Sequence, residues 1–343
     1  MFSALHRSLR GAALVLATAA LLVPPTSPAQ SAESYATAAW PSATLARGTA
    51  HYVTGVVTDI GSVALEQKVL GGWRSVATTS STEAGTYTLK IPTWWLGSRT
   101  YRVRSLTAAT AEWRARVVPT YTPRGRDSQF RYSFDTMTRW NPCTVIGYRV
   151  NARQATRGAI TDTKRAFARM SQATGFTFAY RGTTRGIPSN GTNDWYPKDT
   201  QVVVAWARPS QSSLLSAYPK AAGVGAAMAR TGYFNGDGSR TNMISRGMVV
   251  INANMKQKAG FGSGLTRGDT LLHEIGHAMG LSHAGANEQM MYAYLTRTRA
   301  RFGRGDLHAL EARGSKLGCV DTSSPRVAAR TMTPGVAAIR VAP

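Results

Sequence analysis

The stretch LLHEIGHAMGLSH, residues 271–283, holds three of the six histidines in the chain. His273 and His277 lie four residues apart. On a helix that spacing puts them on one face, where both imidazoles reach a single ion. Glu274 projects beside that ion, where a carboxylate can hold a water and take its proton. Gly280 comes three residues after His277, and His283 three after that. A glycine there adopts positive φ and turns the chain out of the helix, so that His283 swings back as a third ligand. With this composition the five fixed residues coincide by chance on the order of once in 10⁵ to 10⁶ sequences. A solvated helix face that happens to carry histidines is therefore the weaker reading. Three neutral imidazoles and an open fourth position favour zinc, in a site arranged for chemistry rather than a closed structural one.

The chain has 343 residues, enough for two domains, and 43% of them are apolar, so most of it is expected to fold. Its first segment stands apart. His6, Arg7 and Arg10 precede the apolar run Gly11 to Val23, and small residues with prolines follow. That order is the pattern of a secretory signal peptide cleaved between Ala29 and Ala32. The apolar run is shorter than the ~20 residues a membrane span needs. The mature protein is expected to be secreted and extracellular, with no membrane span. In an oxidising compartment Cys143 and Cys319 are expected to form one disulfide. The net charge of +24 comes from 33 arginines and 8 lysines against 17 acids. Those arginines are scattered and no nucleic-acid-binding motif is present, which argues against a specific nucleic-acid partner. Non-specific association with anionic cell-wall polymers is the expected consequence of the charge.

Patterning divides the chain as follows: 1–31 signal peptide, 32–47 linker, 48–122 all-β domain, 123–138 linker, 139–320 the metal-bearing domain, and 321–343 a C-terminal tail. In the first domain HYVTGVVTD, SVALEQKVL, WRSVATT, GTYTLKI and TYRVRS read as short strands between Gly/Ser/Thr breaks, an all-β sandwich of five to seven strands. Trp94 and Trp95 form either an exposed aromatic patch or, for at least one of them, core packing. The second domain reads as α+β, in the order strand, helix, four strands, helix, helix. Its first helix carries Ile160, Phe167 and Met170 and stops at Gly175. The motif helix begins near Thr266 or Arg267. GDLHALEARG forms the last helix, capped by Asp306 or a residue just before it. Asn235, Asp237 and neighbouring loop oxygens form either a Ca²⁺ site or a plain turn.

H-E-x-x-H-x-x-G-x-x-H is the metzincin zinc signature, and within that clan residues 140–318 resemble a matrixin, the matrix-metalloprotease type. NEQMMYAY supplies the methionine of the expected turn under the metal, with Met291 eight residues after His283 in the matrixin spacing. In the alternative register, with Met290 as the turn residue, Tyr292 falls where astacin-type relatives place a tyrosine near the metal and becomes an oxyanion helper. WNPCTVIGYRVN, AGVGAAMAR and GDLHALEARG are similar to the opening strand, the substrate-binding edge strand and the C-terminal helix of matrixins. The resemblance implies a twisted, mostly parallel five-stranded sheet with three helices, one catalytic Zn²⁺ on His273, His277 and His283, Glu274 as general base, and protein or peptide substrates. GGWRSVATTSSTEAGTYTLKIP resembles the Ig-like or prealbumin-like modules of secreted bacterial proteins. The chain departs from the matrixin pattern in three ways: no latency cysteine precedes Cys143, His308 is the one further histidine for a second zinc, and Ala284 stands in place of the usual serine. A cell-wall peptide amidase and a surface-binding protein dominated by its basic body and β-domain are the competing readings.

Overall fold

Val202–Ala207 is buried along its whole length, and VVVAWA is the composition of a strand covered on both faces. In the computed structural model of the protein, which describes residues 33–190, 195–295, 300–323, 331–332 and 337–341, this strand lies at the centre of an α+β region. The expected signal peptide falls outside the described residues.

Seven strands come first: β1 (Thr44–Ala46), β2 (His51–Val56), β3 (Ser62–Val69), β4 (Gly72–Ser80), β5 (Thr86–Ile91), β6 (Gly97–Arg104) and β7 (Trp113–Val118). They form one sheet in the order β1-β7-β6-β3-β4 and a β2-β5 pair. Val53, Leu65, Leu89, Tyr101 and Val103 from both sheets share one buried core. The period-2 alternation read from the sequence is the physical basis: β5 alternates exposed and buried at every residue. Of the two tryptophans, Trp95 is buried and Trp94 is 47% exposed. The Arg99 guanidinium lies 3.3 Å from the Trp95 ring centroid and donates to the Trp95 and Leu96 carbonyls at 2.6 and 2.9 Å.

The remaining elements are β8 (Arg131–Tyr132), β9 (Thr138–Arg139), β10 (Ile146–Asn151), α1 (Ala159–Thr174), β11 (Phe178–Thr183), β12 (Val202–Ala207), α2 (Ser213–Ser216), β13 (Ala221–Asn235), β14 (Arg240–Asn252), α3 (Arg267–Ala278), β15 (Leu281–Ser282), β16 (Tyr294–Leu295), α4 (Arg304–Ala312), β17 (Val320–Asp321), β18 (Thr331–Met332) and β19 (Ala337–Val341). The central sheet runs β11-β10-β12-β14-β13, with parallel pairing throughout except between β13 and β14. The short helix α2 was not foreseen, and β13 and β14 extend past the expected strands into a long hairpin around the turn at 236–239. The segment read as a tail supplies β18 and β19, both paired with β13.

Helix α1 buries Ala159, Thr163, Ala166, Phe167, Met170 and Ala173 along one stripe, and Gly175, at φ +74°, ends it. Helix α3 opens with a reciprocal cap in which Thr266 Oγ1 accepts from the Asp269 amide and Asp269 Oδ2 accepts from the Thr266 amide. Arg267, 1% exposed, joins the two helices. Its Nη2 and Nε donate to Asp162 Oδ2 at 2.5 and 2.9 Å, and its Nη1 donates to Thr156 Oγ1 at 2.6 Å. The Cys143–Cys319 disulfide ties the approach to β10 to the segment after α4 across 176 residues.

Ser34–Pro343 is one compact unit. The Leu96 amide donates to the Gln172 carbonyl at 2.7 Å and the Ser98 amide to Glu311 Oε1 at 2.9 Å, so the first sheets rest on α1 and α4. Among the described residues no helix is long and apolar enough to cross a membrane. The Cys143–Cys319 disulfide is compatible with an extracellular protein.

Asp162→Ala leaves the Arg267 guanidinium buried without its carboxylate. The expected loss is about 3–5 kcal/mol, read from urea unfolding; a loss below about 1 kcal/mol would show that this pair does not hold the helices together.

Candidate metal centre

His273 and His277 stand on α3 with ring centroids 4.6 Å apart, as their spacing requires. The chain then leaves the helix at Gly280, with φ +93°, and its new direction is held from outside. β15 pairs antiparallel with β8, and the Ser133 amide donates to the Gly280 carbonyl at 2.9 Å. His283 follows directly, its ring 5.2 Å from that of His273 and 4.9 Å from that of His277. One ligand atom from each of the three histidines lies within 4.8 Å of the others.

The tautomers follow from the partners. His273 Nδ1 is 2.8 Å from the Met290 carbonyl and His277 Nδ1 is 2.8 Å from the Leu281 carbonyl. A carbonyl only accepts, so each Nδ1 carries the proton and each Nε2 is left with a bare lone pair. Those two Nε2 atoms are 2.9 Å apart. Two lone pairs facing each other in a buried site repel unless a cation lies between them, and this donor set suits zinc. Protonation cannot supply that cation easily. Burial, then His277 and His283, hold the His273 pKa well below its ordinary 6.5. Burial, then His283, pushes His277 down to about 3.

Glu274 is fully buried and lies against β13. A Cβ at Gly223 would stand 3.0 Å from Glu274 Oε1, and one at Gly225 would stand 2.9 Å from Glu274 Oε2. Glycines two apart on one strand face thus let the backbone approach the helix. Their spacing in AGVGAAMAR is the sequence signal for this close approach.

Beneath the histidines, Met291 is 1% exposed. A Cβ on Gly276 would stand 2.4 Å from its sulfur, so the glycine between Glu274 and His277 leaves room for the thioether. Met290 offers its carbonyl to His273. Tyr292 packs against Tyr294, ring centroids 5.8 Å apart.

The N-cap of α4 is Gly303, and Asp306 caps it from the third helical position rather than as the N-cap itself. The Asp306 carboxylate accepts from the amides of Met290 at 2.6 Å, Gly303 at 2.8 Å and Met291 at 3.2 Å. Burial pushes its pKa up to about 7 against those three donors. It holds the turn whose carbonyl orients His273, a role that rests on contacts across 15 or 16 residues and leaves no local pattern.

The Asn235/Asp237 loop closes the β13–β14 hairpin. Asn235 Oδ1 accepts from Arg139 Nη2 at 2.7 Å and Nε at 3.0 Å, and Asp237 Oδ1 accepts from Ser239 Oγ at 2.6 Å. A guanidinium already supplies the positive charge there, so the plain turn is the reading that fits and Ca²⁺ does not.

Residues 251–312 match the Matrixin family model, Peptidase_M10. The match covers the motif helix, the methionine turn and α4. It gives the chain a matrixin-like segment and supports metalloprotease as its general activity, with zinc as the metal. No curated protein matches the chain. Among solved structures it is similar to a biofilm-associated protein BSP domain, at 16% identity over 26% of this chain and 15% of that one. It is also similar to a chain in the structure described as the basis of T cell specificity and activation by the bacterial superantigen toxic shock syndrome toxin-1, at 9% identity over 24% and 98%, and to a carbohydrate acetylesterase from Xanthomonas citri, at 11% over 50% and 51%. With TM-scores of 0.18 these likenesses carry no weight for the fold.

Gly276→Ala separates packing from helix propensity. Alanine is ordinarily better than glycine within a helix by about 1 kcal/mol, yet here the methyl displaces Met291, and a net loss of about 1–3 kcal/mol is expected. Thermal unfolding gives the sign, and a stabilised variant would refute the close contact.

Proposed function

We propose that this chain is a secreted zinc-dependent endopeptidase of metzincin, matrixin-like type, with residues 139–320 as its protease domain and the preceding β-sheets as an Ig-like or prealbumin-like module. The observation that carries this reading is the convergence of His273, His277 and His283 within 4.8 Å beside a glutamate packed under the strand β13. The three imidazoles are the residues that would hold the ion. When bound, zinc lowers the pKa of a water toward ~7 and polarises the scissile carbonyl.

The protein's own groups supply the rest. Glu274 takes a proton from the attacking water and returns it to the leaving amine nitrogen, which makes it general base and then general acid. Its burial against Gly223 and Gly225 keeps the carboxylate in place for both transfers. The Nδ1 bonds to Met290 and Leu281 stop the imidazoles from rotating, so Nε2 stays directed at the metal position. Met291 closes the floor of the site with a polarisable apolar side chain. The substrate lies extended along β13, adding a strand to its edge. Tyr292 is the candidate donor to the oxyanion. The basic surface favours association with anionic cell-wall polymers in a salt-dependent way.

Glu274→Ala is expected to retain one zinc per chain by elemental analysis and to melt at an unchanged temperature. Casein cleavage should fall by about 10³-fold or more. Normal cleavage by this variant would overturn the mechanism. Tyr292→Phe is expected to slow turnover by about tenfold with KM little changed, as for loss of one oxyanion donor in part; an unchanged kcat removes Tyr292 from the mechanism.

A further inference from the structure

The outer edge of β13, where an extended substrate would add, is already lined by the chain's own last residues. Coming from Cys319, the chain pairs antiparallel with β13 three times in succession. β17 meets Phe234 and Asn235, β18 meets Ala229 and Arg230, and β19 meets Ala221, Gly223, Val224 and Gly225. On its other side β19 pairs in parallel with β16, Tyr294 opposite Arg340 and Leu295 opposite Val341. The tail strand therefore fills the space between β13 and the segment that follows the methionine turn. Its position along β13 matters. Gly223 and Gly225, the partners of Ile339 and Ala337, are the two residues against which Glu274 packs, and α3 itself lies against β19.

We infer that residues 337–341 act as an internal competitor for the peptide-binding edge, so that a substrate reaches Glu274 only by displacing this strand. The inference rests on the endopeptidase reading. An edge strand has one free row of N–H and C=O groups, and pairing with β19 uses that row, so tail and substrate exclude each other. Tethering favours the tail. Its root is fixed by the Cys143–Cys319 disulfide and by β17, which gives the strand an effective concentration on the order of millimolar. The apparent affinity for a peptide falls by the fraction of molecules in which the edge is open. β19 has only five residues, a short pairing that a longer peptide can replace.

In an antiparallel ladder alternate residues direct their N–H toward a given neighbour, so one of two adjacent prolines must delete a bond to β13. The test adds Ala338→Pro with Ile339→Pro to full-length, zinc-loaded Glu274→Ala protein, in which bound peptide is not turned over. A control carries Ala338→Ser with Ile339→Thr and keeps both N–H groups. Two readouts are compared. Amide hydrogen exchange across Ala221–Gly225 should speed up by about tenfold or more in the proline variant alone, with β12 amides unchanged as a measure of intact folding. Fluorescence anisotropy with a labelled ten-residue casein peptide should show about tenfold tighter binding by the proline variant than by the control. Unchanged exchange at Ala221–Gly225 would show that the tail does not hold the edge. Faster exchange with equal peptide affinity would show that it holds the edge without competing. Either result overturns the inference. Because both readouts are taken without turnover, they stand apart from the cleavage assay that decides the endopeptidase reading.

Discussion

Two imidazole Nε2 atoms held 2.9 Å apart, each with its lone pair toward the other, form a repulsive contact that the rest of the structure is built to sustain. Each ring is locked by an Nδ1–H bond to a carbonyl, and each carbonyl is itself held in place. Leu281 is pinned by the β15–β8 pairing. Met290 is pinned by Asp306, reaching from the next helix. Burial disfavours the protonated form of both rings, and a neutral donor set of this kind suits a metal cation. The rings are thus set by two backbone carbonyls, Leu281 within the motif and Met290 beyond it, an arrangement that suits a metal site.

The same economy of space governs what lies above and below the histidines. Gly223 and Gly225 bring β13 within contact of Glu274, and Gly276 admits the Met291 sulfur. A methyl group at any of these three positions would meet a neighbour closer than or at the limit of ordinary packing. The active helix is therefore clamped between a strand and a thioether, and its N-terminus is fixed by the Arg267–Asp162 pair. A buried ion pair of this kind adds little net stability against an apolar replacement, but it is costly to break from one side. It serves here to hold α1 and α3 at one fixed separation.

The motif was legible because its geometry is local. Four-residue spacing on a helix and one positive-φ glycine decide where three histidines point, and both are properties of consecutive residues. The strands of the first two sheets were legible for the same reason, through alternation. Trp94 and Trp95 could not be told apart, because Trp95 is covered by Arg99 and by Gly175 at the end of α1, contacts that adjacent residues of sequence do not reveal. Local pattern favours a capping role for Asp306 or a residue just before it, and the Asp306 carboxylate does take the amide of the N-cap residue Gly303; its other two amides, from Met290 and Met291, are brought to it by the methionine turn. Asn235 reads from sequence as a turn residue with calcium as the lesser alternative, and Arg139, distant in sequence, takes its oxygen.

By itself the sequence determined the three histidines that cluster, the helix that carries two of them, the glutamate beside them and the cysteine pair, since each follows from residue type and short-range spacing. Only the tertiary structure decided what surrounds them: the carboxylate that steadies the methionine turn, the glycine strand laid on Glu274, and the strand 337–341 paired along the edge of β13. Those depend on which distant segments meet. Strand pairing in particular is made by backbone groups that every residue carries, so the tail's sequence did not announce its partner.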